Sequence, residues 1–246
     1  MALIINADDL GISENVNRAI CEAFEKGLID RTTLMANMPF AEDGMKLAQE
    51  KGFIDRVGLH LNLTSGMPLT EGISADTVMC DGNGEFTADF ARNLRTRFFL
   101  PKKTRENVEK EIRAQLDRYR ELGGTLWHID SHHHVHTDAS VWRILKRVFR
   151  DYPVTGVRLS RNMYDGGNPL IRLYKFFLNG SIRKHCKSLP EYFGSAADYE
   201  EYSRRHEGLL KDHNVEIMVH PIYDADGKLA DVYKGDFREL KRPLQE

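Results

Sequence analysis

A cluster of histidines near the middle of the chain holds the residues best suited to chemistry in this sequence. Residues 125–136 contain five imidazoles, and the apolar first part of the segment is typical of a buried strand. Neutral imidazole is a good ligand for transition metals at neutral pH. The cluster lies between that strand and a predicted helix start at Asp138, which distinguishes it from a terminal expression tag. It therefore predicts a metal or catalytic site.

Not all of these histidines can face one site if the chain stays extended. Because side chains alternate along a strand, His132, His134 and His136 would share one face. His133 would then point to the other face. At most three of the histidines can therefore contribute together, and their residue type does not decide which.

Two adjacent carboxylates, Asp8 and Asp9, follow residues 2–7, which are predicted to form a buried first strand. Both acids could converge on one pocket where that strand ends. They could instead cap the helix that begins near Ser13 and ends at Gly27, since acidic side chains are common at helix N-termini. The pair by itself leaves both interpretations open.

Strict alternation over residues 57–64 predicts a strand with His60 and Asn62 on its polar face. A lone histidine in a strand is more often a satisfied core residue than a ligand. Here acids and other histidines follow other predicted strands, so His60 becomes a candidate functional residue.

Two further candidates belong to strands in the second half of the chain. Arg158 lies within the apolar residues 154–160, and a charged side chain in such a strand needs a carboxylate partner. Asp8 and Asp9 are the natural candidates for that partner. Residues 215–219 are predicted to form the last strand, which ends at His220.

The elements that position these side chains alternate between strands and helices. Residues 34–38 are a further predicted strand, and one helix is predicted to begin at Thr104. Another is predicted from Ser195 to near Lys211. Residues 164–187 are predicted to be irregular, with an aromatic run that favours a packed helix over a sugar-stacking surface.

This alternation, with about seven strands, predicts an α/β fold. We expect an irregular, TIM-like (β/α) barrel of parallel strands, formed by a single domain over residues 1–246. The carboxyl ends of parallel strands share one edge of the sheet. Candidates far apart in sequence could therefore converge there.

Charge argues against nucleic acid as the main partner. The net charge is -2, whereas binding to phosphates requires an excess of Lys and Arg on one surface. Residues 92–105 do carry six basic residues around Phe98 and Phe99. They could form a patch for a polyanion, but a solvated helix face beside a packed aromatic pair is the favoured interpretation.

The sequence also predicts where the protein works. It lacks the run of about 18 apolar residues that a membrane-spanning helix requires, and its first residues do not resemble a signal peptide. The three cysteines are widely spaced and fit reduced thiols. We therefore expect a cytoplasmic protein that binds neither membranes nor nucleic acid.

A carboxylate and two imidazoles from three strands make a three-ligand metal site with open positions for water and substrate. Such a metal acidifies water, and a second carboxylate and another histidine could act as general base and general acid. Together they predict hydrolysis of an acyl or phosphoryl bond. A metal-dependent phosphoesterase and a non-catalytic sugar-binding or metal-binding protein remain alternatives.

Four separated motifs of this sequence resemble the YdjC-like carbohydrate deacetylases. They are NADDLG at 6–11, GLHLNLT at 58–64, DSHHHVH at 130–136 and MVHP at 218–221. The resemblance implies an irregular (β/α) barrel that removes the N-acetyl group from an amino sugar or a short chitooligosaccharide with a divalent metal. It also implies a cytoplasmic enzyme that is often a homodimer.

By the same resemblance, Asp9, His60 and His132 would bind the metal. The family implies Mg²⁺, whereas two imidazole ligands suit Zn²⁺ or another transition ion better. The sequence therefore predicts a divalent metal and leaves both kinds of ion open.

The resemblance also implies roles in the reaction. Asp8 would be the general base, His220 would protonate the leaving amine, and Arg158 would orient or neutralise Asp8. The polar residues that remain near these positions are candidate substrate contacts: Asn62, His134 and His136.

Overall fold

The computed structural model describes residues 3–186, 190–206 and 213–233, together with the backbone of residues 235 and 236. Its main strands are β1 (Leu3–Leu10), β2 (Arg31–Leu34), β3 (Val57–Leu61), β4 (His128–Ser131), β5 (Gly156–Val157), β6 (Tyr192–Ser195) and β7 (Val215–Val219). These seven strands form one curled sheet in the order β5-β4-β3-β2-β1-β7-β6, and every pairing is parallel. The α/β, barrel-like fold expected from the sequence is confirmed.

Helices accompany the sheet. They are α1 (Glu14–Glu25), α2 (Ala41–Glu50), α3 (Glu71–Ser74), α4 (Asp89–Arg92), α5 (Leu94–Phe98), α6 (Lys102–Glu121), α7 (Ala139–Val148), α8 (Pro169–His185) and α9 (Ala196–Arg205). A small antiparallel sheet contains β8 (Pro221–Tyr223), β9 (Leu229–Asp231) and β10 (Gly235–Asp236). A helix able to cross a membrane does not occur in the described part of the chain.

Burial of the central strands decides what their polar residues can do. Every residue of β3 and of β7 is buried, as expected where helices cover a parallel sheet. A polar side chain on such a strand is withdrawn from water and is costly unless it has a partner. His60 on β3 and Glu216 on β7 therefore need partners inside the fold.

Capping residues mark the starts of two helices. The side chain of Ser13 accepts a hydrogen bond from the backbone N–H of Val16 and caps α1. The alternative in which Asp8 and Asp9 cap this helix is therefore wrong. Ser195 caps α9 as predicted, and the predicted end near Lys211 lies outside the described residues.

Several predicted boundaries differ from the structure. The strand predicted at 34–38 is β2, which ends at Leu34 because the chain turns from Ala36 onward, ahead of Pro39. Of residues 154–160, only the two residues of β5 pair with the sheet. Thr104 does not begin a helix but lies inside α6, where its hydroxyl donates to Asp76.

The segment 164–187 contains the long helix α8, which confirms the helix favoured for its aromatic run. The prediction of irregular structure is wrong over most of the segment. Asn168 caps this helix and Pro169 fills its first position, where the missing proline N–H costs nothing. Its aromatic run does not all pack inward. Tyr174 donates to the carbonyl of Thr137, but Phe176 and Phe177 are exposed.

Candidate active site

Side chains from three strands meet at the carboxyl edge of the main sheet. Asp9 lies near the end of β1, His60 near the end of β3, and His132 directly after β4. Asp9 Oδ1 is 3.2 Å from His60 Nε2 and 2.9 Å from His132 Nδ1. One donor atom from each residue lies within 4.8 Å of the others, close enough for all three to contact one ion.

An irregularity in β1 places both adjacent acids on this site. The register of β1 against β2 shifts between Ala7 and Leu10, and Asp9 adopts a φ of 72°. That left-handed conformation is uncommon for a residue other than glycine, and such strain is often retained at functional positions. With this irregularity, Asp8 and Asp9 both have a carboxylate oxygen near His60.

Asp130 fixes the orientation of His60. Its Oδ1 lies 2.7 Å from His60 Nδ1, which leaves Nε2 directed at Asp9. Burial lowers the pKa of His60, but the charge and hydrogen bond of Asp130 and the hydrogen bond with Asp9 outweigh burial and raise it to about 10. For Asp9 burial acts in the opposite direction and raises the pKa. Hydrogen bonds from His132 and His60 outweigh burial and hold the pKa of Asp9 well below its usual range.

This donor set fits a divalent metal. A carboxylate and two imidazoles are the ligands of open catalytic metal sites, and the carboxylate behind His60 is the usual support for such a ligand. The raised pKa of His60 shows that the site favours positive charge. A divalent cation would supply that charge in place of the imidazolium proton.

The histidine cluster does not stay extended. Residues 132–137 form a short 3₁₀ segment in which His133 and His134 have φ values of 52° and 56°. The alternation that would have placed three histidines on one face therefore fails. Instead His132 faces Asp9, whereas His136 turns inward, where its Nε2 lies 3.1 Å from the carbonyl oxygen of Arg158.

Arg158 is fully buried and binds three carboxylates. Its Nη1 and Nη2 donate to the two oxygens of Asp8 at 2.7 Å, its Nε donates to Glu216 at 2.6 Å, and its Nη2 lies 2.7 Å from Asp130. The partner is therefore Asp8, one of the two predicted acids. Burial raises the pKa of Asp8, but the adjacent guanidinium holds it well below its usual range. Asp8 is thus kept ionised inside the fold.

His220 lies on the other side of Asp8. Its Nε2 is 3.9 Å from Asp8 Oδ2, and its backbone N–H donates to Asp231 at 2.6 Å. Within the described residues its buried Nδ1 has no hydrogen-bond partner. A carboxylate and an imidazole therefore flank the same space, as a general base and a general acid require.

The three predicted substrate contacts occupy different positions. Asn62 and His136 are fully buried, and both are bound to protein groups. Asn62 accepts from the backbone of Thr64 and Ser65 and shapes the turn after β3. Both residues are therefore held by protein groups, whereas His134 lines a cavity.

A family model described as "YdjC-like protein" matches residues 2–243. The chain belongs to the YdjC-like family. The family assignment made from the four motifs is therefore confirmed over nearly the whole chain.

Curated relatives agree with the family match. The chain is 33% identical over 222 residues to a carbohydrate deacetylase of Geobacillus stearothermophilus, a match that covers 89% of this chain and 79% of the relative. It is 34% identical over 223 residues to a carbohydrate deacetylase of Brevibacillus brevis, covering 91% and 82%.

A solved structure supports the fold. A provisionally named cellobiose-phosphate cleavage protein of Enterococcus faecalis V583 superposes with a TM-score of 0.67, at 21% identity, over 92% of this chain and 82% of that one. At this identity the likeness concerns the fold of the YdjC-like chain alone.

Sequence reasoning missed two residues that organise the site. Asp130 and Glu216 share the guanidinium of Arg158, and Asp130 also orients His60. The signal was present, because each is a charged residue in a segment predicted to be a buried strand and so needs a buried partner, as Arg158 does. Applied to all three residues, that rule predicts that each has a buried partner of opposite charge.

Proposed function

We propose that this YdjC-like protein is a metal-dependent hydrolase that removes the N-acetyl group from an acetylated amino sugar or a short chitooligosaccharide. Family membership and relatives named carbohydrate deacetylases make it an enzyme that deacetylates carbohydrates. One observation carries the finer proposal. The donor set of Asp9, His60 and His132 adjoins the ionised carboxylate of Asp8. The imidazole of His220 lies on the other side of Asp8, with its Nε2 3.9 Å from Asp8 Oδ2.

In this proposal Asp9, His60 and His132 hold a divalent metal. When bound, the metal would acidify water and polarise the acetamide carbonyl. The two imidazoles favour Zn²⁺ or another transition ion, whereas Mg²⁺ would depend more on oxygen ligands. Metal-free protein reconstituted separately with each ion decides between them.

The remaining residues move protons. Asp8 takes a proton from the attacking water, and Arg158 orients its carboxylate through both oxygens. His220 gives a proton to the amine as the carbon–nitrogen bond breaks. The products are acetate and the free amino sugar.

The test is acetate release from N,N'-diacetylchitobiose by protein loaded with each metal, beside the same protein treated with a chelator. Asp9→Asn, which removes the shared carboxylate, is expected to weaken metal binding and activity together. Cleavage of a phosphate ester without acetate release would favour a phosphoesterase. Sugar binding without any product would favour a non-catalytic protein.

Two expectations from the family resemblance belong to the same proposal. We propose that the enzyme is cytoplasmic and forms a homodimer. Cell fractionation and the mass of the purified protein by light scattering test these two points independently of activity.

A further inference from the structure

An exposed aromatic side chain, Tyr233, lies beside the proposed general acid His220, and the proposed reaction assigns it no role. The centroids of the two rings are 5.0 Å apart, and the ring planes are inclined at 82°. This edge-to-face arrangement is a favourable one for two aromatic rings. Tyr233 therefore belongs to the immediate surroundings of the imidazole that would protonate the leaving amine.

The small antiparallel sheet brings Tyr233 to this place. Its first strand, β8, begins directly after His220, and β9 pairs with it so that Asp231, the last residue of β9, lies opposite Pro221. The hydroxyl of Tyr223 on β8 donates to a carboxylate of α1 at 2.7 Å, which fixes the small sheet to the main body. The chain that leaves β9 therefore returns to His220.

Hydrogen bonds hold the turn at residues 231–233 against His220. Asp231 is buried, and one of its carboxylate oxygens accepts from the backbone N–H of His220 at 2.6 Å. The other oxygen accepts from the backbone N–H of Tyr233 at 2.9 Å. The backbone N–H of Val232 donates to the carbonyl of His220 at 3.1 Å. The backbone of Tyr233 is therefore fixed relative to His220.

The side chain of Tyr233 contributes little to the core, although its backbone is so firmly held. It is 77% exposed, and a side chain that buries so little area gains little stability from contacts within the chain. An aromatic ring that is held in place but exposed is typical of a binding surface. Its apolar face is available, and little conformational freedom is lost when a ligand packs against it.

The chemistry of the substrate supplies the ligand. A pyranose ring presents C–H bonds on its faces and hydroxyl groups at its rim, so an aromatic ring can pack against a face while the hydroxyl groups stay hydrated. Tyrosine suits this contact because it combines an apolar ring with a polar tip. The sugar whose amine His220 would protonate lies beside His220 during the reaction, and therefore within reach of Tyr233.

We propose that Tyr233 is a substrate-binding residue whose ring packs against the pyranose ring that carries the acetamide. The inference rests on the proposed function, because that reaction places the acetamide between the candidate metal ligands and His220. Tyr233 contacts the sugar and transfers no proton. Its contribution is therefore to affinity, and it is the same for the bound substrate and for the transition state.

The first test measures acetate release from N,N'-diacetylchitobiose by the metal-loaded enzyme. Tyr233→Ala is expected to raise KM about tenfold, the size of one aromatic contact, and to leave kcat within about twofold. Tyr233→Phe keeps the ring and is expected to retain the parental constants. The matched control is Phe177→Ala, which removes an exposed ring that packs beside Phe176 on α8 and should change neither constant.

Three results of this test would overturn the sugar contact. Parental constants in Tyr233→Ala would show that the ring does not bind the substrate. An equal loss in Tyr233→Phe and Tyr233→Ala would show that the hydroxyl group acts rather than the ring. A lower kcat with unchanged KM and a shifted pH–rate profile in Tyr233→Ala would show that Tyr233 acts through His220.

Binding separates this inference from the proposed function. Calorimetric titration of N,N'-diacetylchitobiose into the metal-loaded Asp8→Asn variant is expected to show affinity that the added substitution Tyr233→Ala weakens about tenfold. If the parental enzyme releases no acetate but this difference persists, the deacetylase proposal fails and the sugar contact stands. If acetate is released but the two affinities are equal, the sugar contact fails and the deacetylase stands. Absence of affinity in both proteins would also overturn the sugar contact.

Discussion

Arg158 donates two parallel hydrogen bonds, each 2.7 Å long, to the carboxylate of Asp8, and both side chains are buried. A bidentate pair fixes the plane of the carboxylate as well as its charge. Asp8 is therefore held ionised and oriented toward the space beside His220, the state that a general base requires.

The first prediction concerns Asp8 itself. Asp8→Asn is expected to lower kcat about 10²- to 10⁴-fold, the usual contribution of a general base. Affinity for the metal is expected to change little, because the proposed ligands are other residues. Acetate release gives kcat, and metal titration gives the affinity.

The control for this variant is Asp89→Asn, which changes an exposed aspartate on α4 and is expected to retain parental activity. Asp8→Asn should remain folded, since Arg158 keeps Asp130 and Glu216 as partners. If the variant kept more than about a tenth of the parental kcat, Asp8 would not be the base.

The second prediction concerns stability. Arg158→Met leaves Asp8, Asp130 and Glu216 buried without their shared cation, and is expected to cost about 3–5 kcal/mol. Urea unfolding measures the loss. Arg147→Met is the matched control, because Arg147 binds Glu109 at the surface and such pairs contribute about 1 kcal/mol or less. Similar losses in both variants would contradict a buried cluster that depends on Arg158.

The pairing of Arg158 with Asp8 is a part of the site that the sequence predicts. A charge within an apolar strand requires a buried partner, and an acid at the end of another strand of the same sheet can supply it. Burial alone does not say how many partners there are, because it does not give distances across the sheet. Asp130 and Glu216 are therefore partners that depend on how the strands are arranged in space.

The arrangement of the histidine cluster, in contrast, is not predicted by its sequence pattern. Periodicity predicts alternating faces only while the backbone is extended. His133 and His134 adopt left-handed conformations, so the backbone is no longer extended there. Neither is glycine, so composition gave no warning of the turn. The convergence of strand ends was predictable from topology, whereas which histidine faces Asp9 depended on this local turn.

The third prediction concerns pH and stability. Burial, reinforced by the charge of Arg158, lowers the pKa of His136 from 6.5 to about 3. Below pH 6.5 the unfolded chain binds a proton here and the folded protein does not. The free energy of unfolding should therefore fall by about 1.4 kcal/mol per pH unit on account of this residue.

Urea unfolding at several pH values between about 4.5 and 6.5 isolates this effect from Asp8 and Asp9, because their unfolded forms protonate mainly below that window. His136→Gln is expected to be less stable at neutral pH but to show a shallower pH dependence. His185→Gln, which changes an exposed histidine at the end of α8, should keep the parental slope. Equal slopes in all three proteins would exclude His136 as the source.

The last prediction couples the metal to the proton on His60. Without metal, the surrounding carboxylates raise the pKa of His60 to about 10, so the imidazole is protonated at neutral pH. A metal can bind Nε2 only after that proton leaves. Calorimetric titration with Zn²⁺ in buffers of different ionisation enthalpy should therefore report release of about one proton. The affinity for Zn²⁺ should tighten about tenfold per pH unit from about pH 6 to 8.

Asp130→Asn removes the charge that favours the imidazolium, so this variant should release fewer protons when Zn²⁺ binds. Heats that do not depend on the buffer would contradict a protonated His60 that loses its proton to the metal.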